Sequence, residues 1–182
     1  MAARGGEAHS GALSVGAADC SLERFDRGEE ALVTDERWYI PVNDRERERL
    51  RAFIATLDDE ALAAPANAYW TVAGVLGHLA YWDTRVLVLA DKIDRGEPWV
   101  PSDAEPEGDW LTDSTRPLIH AIAPRAAAEL ALRIAEETDA RVAALPLERM
   151  APRDPESPIY PARGEHRGEY LDELERAIRD RS

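Results

Sequence analysis

Residues 69–83 read YWTVAGVLGHLAYWD, and this stretch opens the most clearly signalled helix of the chain. Thr71 is a predicted N-cap, because its hydroxyl can accept a hydrogen bond from the first helical turn. Apolar residues follow at helical spacing as far as Ile93, and Gly96 is a natural C-terminal stop. At about 100° per residue, His78 falls at the edge of that apolar stripe. The pattern predicts a long amphipathic helix that carries a histidine toward the interior.

The first helix of the chain is predicted to start at Asn43 or Asp44. Asn43 and Glu46 lie three residues apart and form a capping-box pattern ahead of apolar residues at helical spacing. Residues 38–40 (WYI) precede a proline, and we interpret them as an extended lead-in that packs on the domain.

Two more helices are predicted in the C-terminal half. One lies between Pro124 and Pro146, after a short helical prelude through Leu118, Ile119 and Ile122, and the last runs over residues 164–179. His166 and Tyr170 are four residues apart on this last helix and therefore share a face. Four amphipathic helices without a convincing alternating strand pattern predict an all-α fold, namely a four-helix bundle.

Residues 97–112 connect the second and third predicted helices. Three prolines and several acids in this segment predict an irregular connection over most of its length. The preceding helix would be roughly 36 Å long, whereas about 16 extended residues reach roughly 50 Å. The connection can thus cross the whole bundle, which would make helices two and three parallel in an up-down-down-up order. Trp99 and Trp110 either pin this segment to the bundle or line the mouth of a pocket, and the first interpretation is favoured.

Composition limits the kinds of partner. The formal net charge is −14, from 36 acidic and 22 basic residues, so phosphate backbones and anionic membranes are repelled. No stretch is long and apolar enough to span a bilayer. Cys20 is the only cysteine, which excludes an intrachain disulfide and favours a reducing, cytoplasmic setting. Residues 1–30 are predicted to be a flexible leader, and residues 31–182 a single domain.

His78 and His166 are the informative histidines, because each lies beside an apolar stripe on a long helix. Two such histidines that meet in a bundle core can build a side-chain metal site, but a histidine beside a core is more often a hydrogen-bonded packing residue. Trp82, Asp83 and Glu169 lie near them in sequence and are the candidate lining of a substrate pocket. The spacing of His78 and His166 alone is consistent with a metal site and with a packing role.

Residues 69–83 and residues 165–174 (EHRGEYLDEL) together resemble the second-helix and last-helix motifs of the DinB/YfiT-like metalloenzyme superfamily. The resemblance covers roughly residues 44–180. It implies a four-helix bundle with parallel second and third helices, and a divalent metal held by three histidines. His78 and His166 match two of these ligands, and Tyr170 stands where the third histidine would be.

The resemblance leaves two hypotheses for function, and it identifies no catalytic residue. In the first, a Zn, Ni or Fe ion at His78 and His166 assists a transferase or isomerase that uses a low-molecular-weight thiol on a small reactive molecule, as in proteins related to the maleylpyruvate isomerase N-terminal domain. Tyr170 would then be a ligand or a general acid. In the alternative, Tyr170 marks a degenerate metal site, and the protein is a non-catalytic module that binds or sequesters a small molecule. It could also form a homodimer through exposed bundle faces.

Overall fold

The computed structural model describes residues 36–97, 107–150, 157 and 159–181. The fold over these residues is all-α, with no β-strand. None of the described helices is long and apolar enough to cross a membrane. The predicted leader and Trp99 lie outside the described residues. The helices are α1 Tyr39–Ala55, α2 Asp59–Ala63, α3 Val72–Asp94, α4 Glu107–His120, α5 Pro124–Ala144, α6 Leu147–Met150 and α7 Arg163–Arg179.

Helix α3 begins and ends as its sequence predicts. The Thr71 hydroxyl accepts a hydrogen bond from the backbone N–H of Gly74 at 2.9 Å. Gly96 has a φ of +69°, and its N–H donates to the carbonyl of Ile93, while the next N–H donates to Lys92. This pair of bonds is a Schellman motif, in which glycine adopts the left-handed conformation without a steric penalty. The capping residue and the glycine stop were therefore sufficient to predict both ends of α3.

Helix α1 starts earlier than predicted, at Tyr39. The predicted capping role of Asn43 is wrong, because Asn43 is a buried residue within the helix. Its side-chain amide donates to the carbonyl of Pro161 at 2.9 Å, and its side-chain oxygen accepts from the N–H of Gly164 at 2.7 Å. The predicted extended lead-in is likewise wrong at Tyr39 and Ile40, which lie in the first helical turn.

The predicted connection over residues 97–112 is partly helical, since α4 begins at Glu107 and continues past Pro117. Ile119 is the one buried residue on this helix among those whose side chains are described, and it packs against Gly77 of α3. Trp110 is 68% exposed, so it does not pin the segment as predicted. The described residues thus form seven helices where the sequence predicts four, because α2 and α6 form within predicted connections and α4 joins the end of another connection to the predicted prelude of the third helix.

The order of contacts between the long helices gives their directions. Residue numbers rise together along α3 and α5, and also along α1 and α7, so each of these pairs is parallel. Between α1 and α5, and between α3 and α7, residue numbers rise along one helix as they fall along the other, so these two pairs are antiparallel. The contacts are Gly77–Ala127, Asp83–Thr138 and Asp91–Arg141 for α3 and α5; Asn43–Gly164, Glu46–Gly168 and Arg49–Glu175 for α1 and α7; Arg47–Asp139 and Arg51–Glu136 for α1 and α5; and Asp83–Arg163 and His78–Tyr170 for α3 and α7.

Helices α1 and α7 meet at Gly164. A Cβ atom at this position would lie 2.5 Å from the backbone oxygen of Val42, so only glycine allows this approach. Buried apolar side chains fill the space between the long helices, and burial of each leucine stabilises the fold by about 1.5–3 kcal/mol. These include Leu50, Leu62, Leu76, Leu79, Ala128, Leu171 and Leu174.

Candidate functional site

A chain of buried ion pairs joins the four long helices. Arg167 of α7 is fully buried, and its guanidinium donates to both carboxylate oxygens of Asp139 at 2.9 Å and to Asp83 at 2.8 Å. The other oxygen of Asp83 accepts from Arg163 at 2.9 Å, and Asp139 also accepts from Arg47 at 2.7 Å. Each buried charge is therefore paired and hydrogen-bonded, as the low-dielectric interior requires.

The structure brings His78, His166 and Tyr170 together beside this chain of ion pairs. The imidazole rings of His78 and His166 lie 6.1 Å apart, and each lies 5.0 Å from the Tyr170 ring, measured between centroids. The Tyr170 hydroxyl is 3.1 Å from Nε2 of His78. The predicted convergence of these three side chains is therefore present. We refer to them below as the His–Tyr cluster.

Arg163 connects the ion pairs to the His–Tyr cluster. One of its terminal nitrogens, Nη2, lies 3.3 Å from Nδ1 of His166. A guanidinium has only donors, so Nδ1 must be the acceptor, and a neutral His166 then carries its proton on Nε2. Burial holds the pKa of His166 well below its ordinary value, and the positive charge of Arg163 adds to this effect. His166 is thus uncharged at neutral pH.

His78 and Tyr170 are also uncharged at neutral pH. Burial lowers the pKa of His78 to about 4, and the nearby Arg163 contributes. Burial raises the pKa of Tyr170 to about 12, with contributions from the negative charges of Glu173 and then Glu169. Nδ1 of His78 is buried and has no hydrogen-bond partner among the described residues. The cluster therefore consists of neutral polar groups, one of which has an unsatisfied nitrogen.

Aromatic side chains surround His78. The Trp70 ring lies 5.6 Å from it and the Trp82 ring 6.1 Å, both in edge-to-face arrangements. On its other side, Trp70 is 5.2 Å from His120 of α4. The guanidinium of Arg116 lies 5.3 Å from the Trp70 ring, within the range of a cation–π contact. Trp70 and His120 had no predicted role at the site, although Trp70 lies within residues 69–83.

The three predicted pocket residues have different surroundings. Trp82 lies beside His78, as described above. Asp83 is only 1% exposed, and its two carboxylate oxygens are taken by Arg163 and Arg167. Glu169 is exposed, and partial burial raises the pKa of its carboxyl group. The structure therefore places Asp83 in the buried ion pairs and Glu169 at the surface. Arg163 and Arg167 were missed in the sequence, although each lies within one helical turn of His166.

A cavity of about 380 Å³ lies elsewhere, between α1 and α5. Two ion pairs bridge these helices along it, Arg47 with Asp139 and Arg51 with Glu136. None of the residues of the His–Tyr cluster lines this cavity, although Arg47 and Asp139 of the buried ion pairs do.

Comparison of the sequence with protein-family models identifies the family. A model of the DinB superfamily matches residues 43–171, which include both histidines and Tyr170. The chain belongs to the DinB superfamily. Comparisons with curated proteins and with solved structures returned no match. Membership in the superfamily does not identify a reaction or a ligand, so both are inferred from the geometry of the site.

The DinB resemblance implies a divalent metal, and the donors in this protein do not fit one as they are placed. Among the described residues, no group of three or more His, Cys, Asp or Glu side chains converges to hold an ion. Tyr170 is a neutral phenol that is hydrogen-bonded to His78. Nδ1 of His78 lacks the carboxylate or carbonyl partner that normally orients a metal-bound imidazole. The cation of Arg163 contacts His166 directly. Metal would supply a Lewis acid, but these residues are not arranged to hold it.

Proposed function

We propose that this DinB-superfamily protein binds a small molecule at the His–Tyr cluster without a resident divalent metal. The observation that carries the proposal is the 3.1 Å contact between the Tyr170 hydroxyl and Nε2 of His78. In that arrangement the third ligand position holds a protonated phenol, and this phenol engages the histidine instead of an ion. This corresponds to the alternative hypothesis from the sequence, a binding or sequestering module.

The character of the cluster indicates the class of ligand. Its polar groups are neutral hydrogen-bonding groups, and Trp70 and Trp82 add aromatic surface around His78. Burial raises the pKa of Tyr170 because a charged group is unfavourable in these surroundings, and the same cost of desolvation disfavours a ligand that carries a carboxylate. A small, uncharged molecule with a ring and a hydrogen-bonding carbonyl fits these features best.

The metal-assisted, thiol-dependent transferase or isomerase is the second candidate. Superfamily membership and the proximity of His78 to His166 favour it. It requires that an ion displace the hydrogen bond between Tyr170 and His78 and tolerate the adjacent charge of Arg163. An ion would then lower the pKa of a bound thiol or water. The first experiment below separates the two candidates.

The decisive measurement is the metal content of the full-length protein. Protein purified without chelator is loaded with Zn²⁺, Ni²⁺ or Fe²⁺, dialysed, and analysed for metal per chain beside a His78→Ala variant. We expect no stoichiometric metal in either protein. One equivalent in the wild type that disappears in His78→Ala would establish the second candidate and overturn the proposal.

The binding half of the proposal is tested with paired probes. Benzamide is neutral and benzoate is its anionic counterpart, and saturation-transfer NMR reports binding of either. We expect benzamide to bind more tightly than benzoate, and the binding to weaken in His78→Leu but not in the exposed control Tyr69→Phe. If no neutral aromatic amide or aldehyde in a wider panel bound in a His78-dependent way, a binding role for the cluster would be wrong.

We also propose that α1, α3, α5 and α7 form one up-down-down-up four-helix bundle, with α2, α4 and α6 as connecting helices. The two parallel pairs, α3 with α5 and α1 with α7, support this arrangement. A homodimer through the exposed faces is a further prediction from the sequence, and sedimentation equilibrium measures it directly.

A further inference from the structure

Arg163 lies where its guanidinium can determine which ring nitrogen of His166 carries the proton. Its Nε atom donates to Asp83 at 2.9 Å, while Nη2 donates to Nδ1 of His166 at 3.3 Å. The residue as a whole is only 8% exposed. One guanidinium therefore connects a buried carboxylate to one histidine of the His–Tyr cluster.

This contact constrains which nitrogen of His166 is free. Because Nδ1 accepts from Arg163, the neutral ring carries its proton on Nε2, which makes Nε2 a donor. A metal ion needs a lone pair, so it could bind Nε2 only if the proton moved to Nδ1, toward the arginine donor. Binding at Nδ1 would require the guanidinium to leave. Both routes also bring a dication close to a fixed positive charge.

Arg163 is held in this position by its partners. Asp83 also accepts a hydrogen bond from the fully buried Arg167, which in turn makes two hydrogen bonds to Asp139. A long side chain at the surface could swing away when an ion arrives. Here, rotation of Arg163 would leave an oxygen of the buried Asp83 without that partner, which is costly in a low-dielectric interior.

We infer that Arg163 is a second determinant of ligand specificity, beside Tyr170. It fixes His166 as an Nε2–H donor, so that the cluster selects ligands with hydrogen-bond acceptors and rejects divalent cations. The inference rests on the proposed function and extends it. Replacement of Tyr170 by histidine would restore the residue types of a three-histidine site, yet Arg163 would still oppose the ion.

The test is isothermal titration of full-length variants with Zn²⁺. The series comprises wild type, Tyr170→His, Arg163→Met with Tyr170→His, and the matched control Arg176→Met with Tyr170→His. Arg176 is an exposed arginine on the same helix, so the control removes the same charge away from the site. Met keeps much of the length of arginine but has no N–H donor.

We expect one Zn²⁺ per chain in the Arg163→Met, Tyr170→His variant, roughly 10- to 100-fold tighter than in Tyr170→His alone, as for loss or gain of a residue that orients a ligand. The Arg176 control should match Tyr170→His. If Tyr170→His already bound as tightly as the Arg163 double variant, the role of Arg163 would be refuted while the proposed function stood. Stoichiometric, His78-dependent Zn²⁺ in the wild type would instead refute the proposed function.

Two further measurements guard against loss of structure. Arg163→Lys keeps a cation for Asp83 but has a single amino group, so with Tyr170→His it should also gain Zn²⁺ affinity, and failure of this folded variant to do so counts against the inference. In wild-type protein, long-range ¹H–¹⁵N spectra should show His166 protonated at Nε2 and not at Nδ1. Arg163→Met should change that tautomer population and Arg176→Met should not; an unchanged population in Arg163→Met would overturn the inference.

Discussion

The hydroxyl of Tyr170 lies 3.1 Å from Nε2 of His78 and joins helix α7 to helix α3 inside the protein. The other nitrogen of the same imidazole is buried without a hydrogen-bond partner in the described part of the chain. The hydrogen bonding of His78 therefore depends on Tyr170, whatever ligand the protein takes.

Tyr170→Phe should destabilise the protein by about 1–3 kcal/mol, because it leaves Nε2 of a buried imidazole unsatisfied. The free energy of unfolding from urea titration at pH 7 measures the effect. Tyr69→Phe is the matched control, since Tyr69 is 42% exposed and its ring can keep its contact with Arg116. Equal stability of the two variants would show that the hydrogen bond to His78 contributes nothing.

Stability should fall as the pH drops from about 6.5 to about 4. The pKa of His78 is lowered to about 4 in the folded protein, so in this window the unfolded chain binds a proton that the folded one does not. The shift corresponds to roughly 3 kcal/mol, present in full above pH 6.5 and lost as the pH falls. His166, whose pKa is also lowered, acts in the same direction.

Urea titrations at pH 7 and pH 5 measure this dependence. His78→Gln should lose less stability between the two pH values than the wild type, because glutamine has no proton to take up. Val88→Ala, a change at an exposed apolar residue of the same helix, should keep the wild-type dependence. An identical dependence in all three proteins would rule out His78 as its source.

Asp83→Asn should destabilise the protein by about 3 kcal/mol or more, because it removes the negative charge between the buried guanidinium groups of Arg163 and Arg167. Asp91→Asn removes the carboxylate of a surface pair with Arg141 and should cost no more than about 1 kcal/mol. Thermal and urea unfolding of both variants make the comparison. Similar losses of stability in the two variants would show that burial of the ion pair does not increase its contribution to stability.

Gly164→Ala should destabilise the protein by about 1–3 kcal/mol, because its Cβ would lie 2.5 Å from a backbone oxygen that cannot move without displacing α1. Gly168→Ala is the matched control on the same helix. Its Cβ would meet only the side chain of Glu46, at 3.2 Å, and alanine favours helix by about 0.5–1 kcal/mol over glycine. Gly168→Ala should therefore be neutral or stabilising in the same unfolding assay.

Much of the helical structure follows from local signals in the sequence. The N-cap of Thr71, the stop at Gly96 and the start of α5 at Pro124 each act within one helical turn. The start of α1 could not be predicted in this way, because the polar groups of Asn43 find partners more than a hundred residues later. Helix α4 was predicted only as a short prelude to the third helix, and its full length could not be predicted for the same reason, since Ile119 is buried by tertiary contact with Gly77.

The site was partly predictable. Helical periodicity and the DinB resemblance placed His78, His166 and Tyr170 together, and the structure has them in contact. The role of Arg163 was not predictable, because Asp83 lies 80 residues away and no local rule pairs them. Charged residues on a helix usually face solvent, so the two buried arginines near His166 required the tertiary structure.

The buried ion pairs also bear on how the protein folds. Arg47, Asp83, Asp139 and Arg167 come from four different helices, and Arg167 has its full set of partners only when α3, α5 and α7 are in place. A partly assembled chain with one of these helices undocked would bury a charge without its partner or leave the interior open to water. Such intermediates are disfavoured, and the four long helices should form and unfold together in a single cooperative transition.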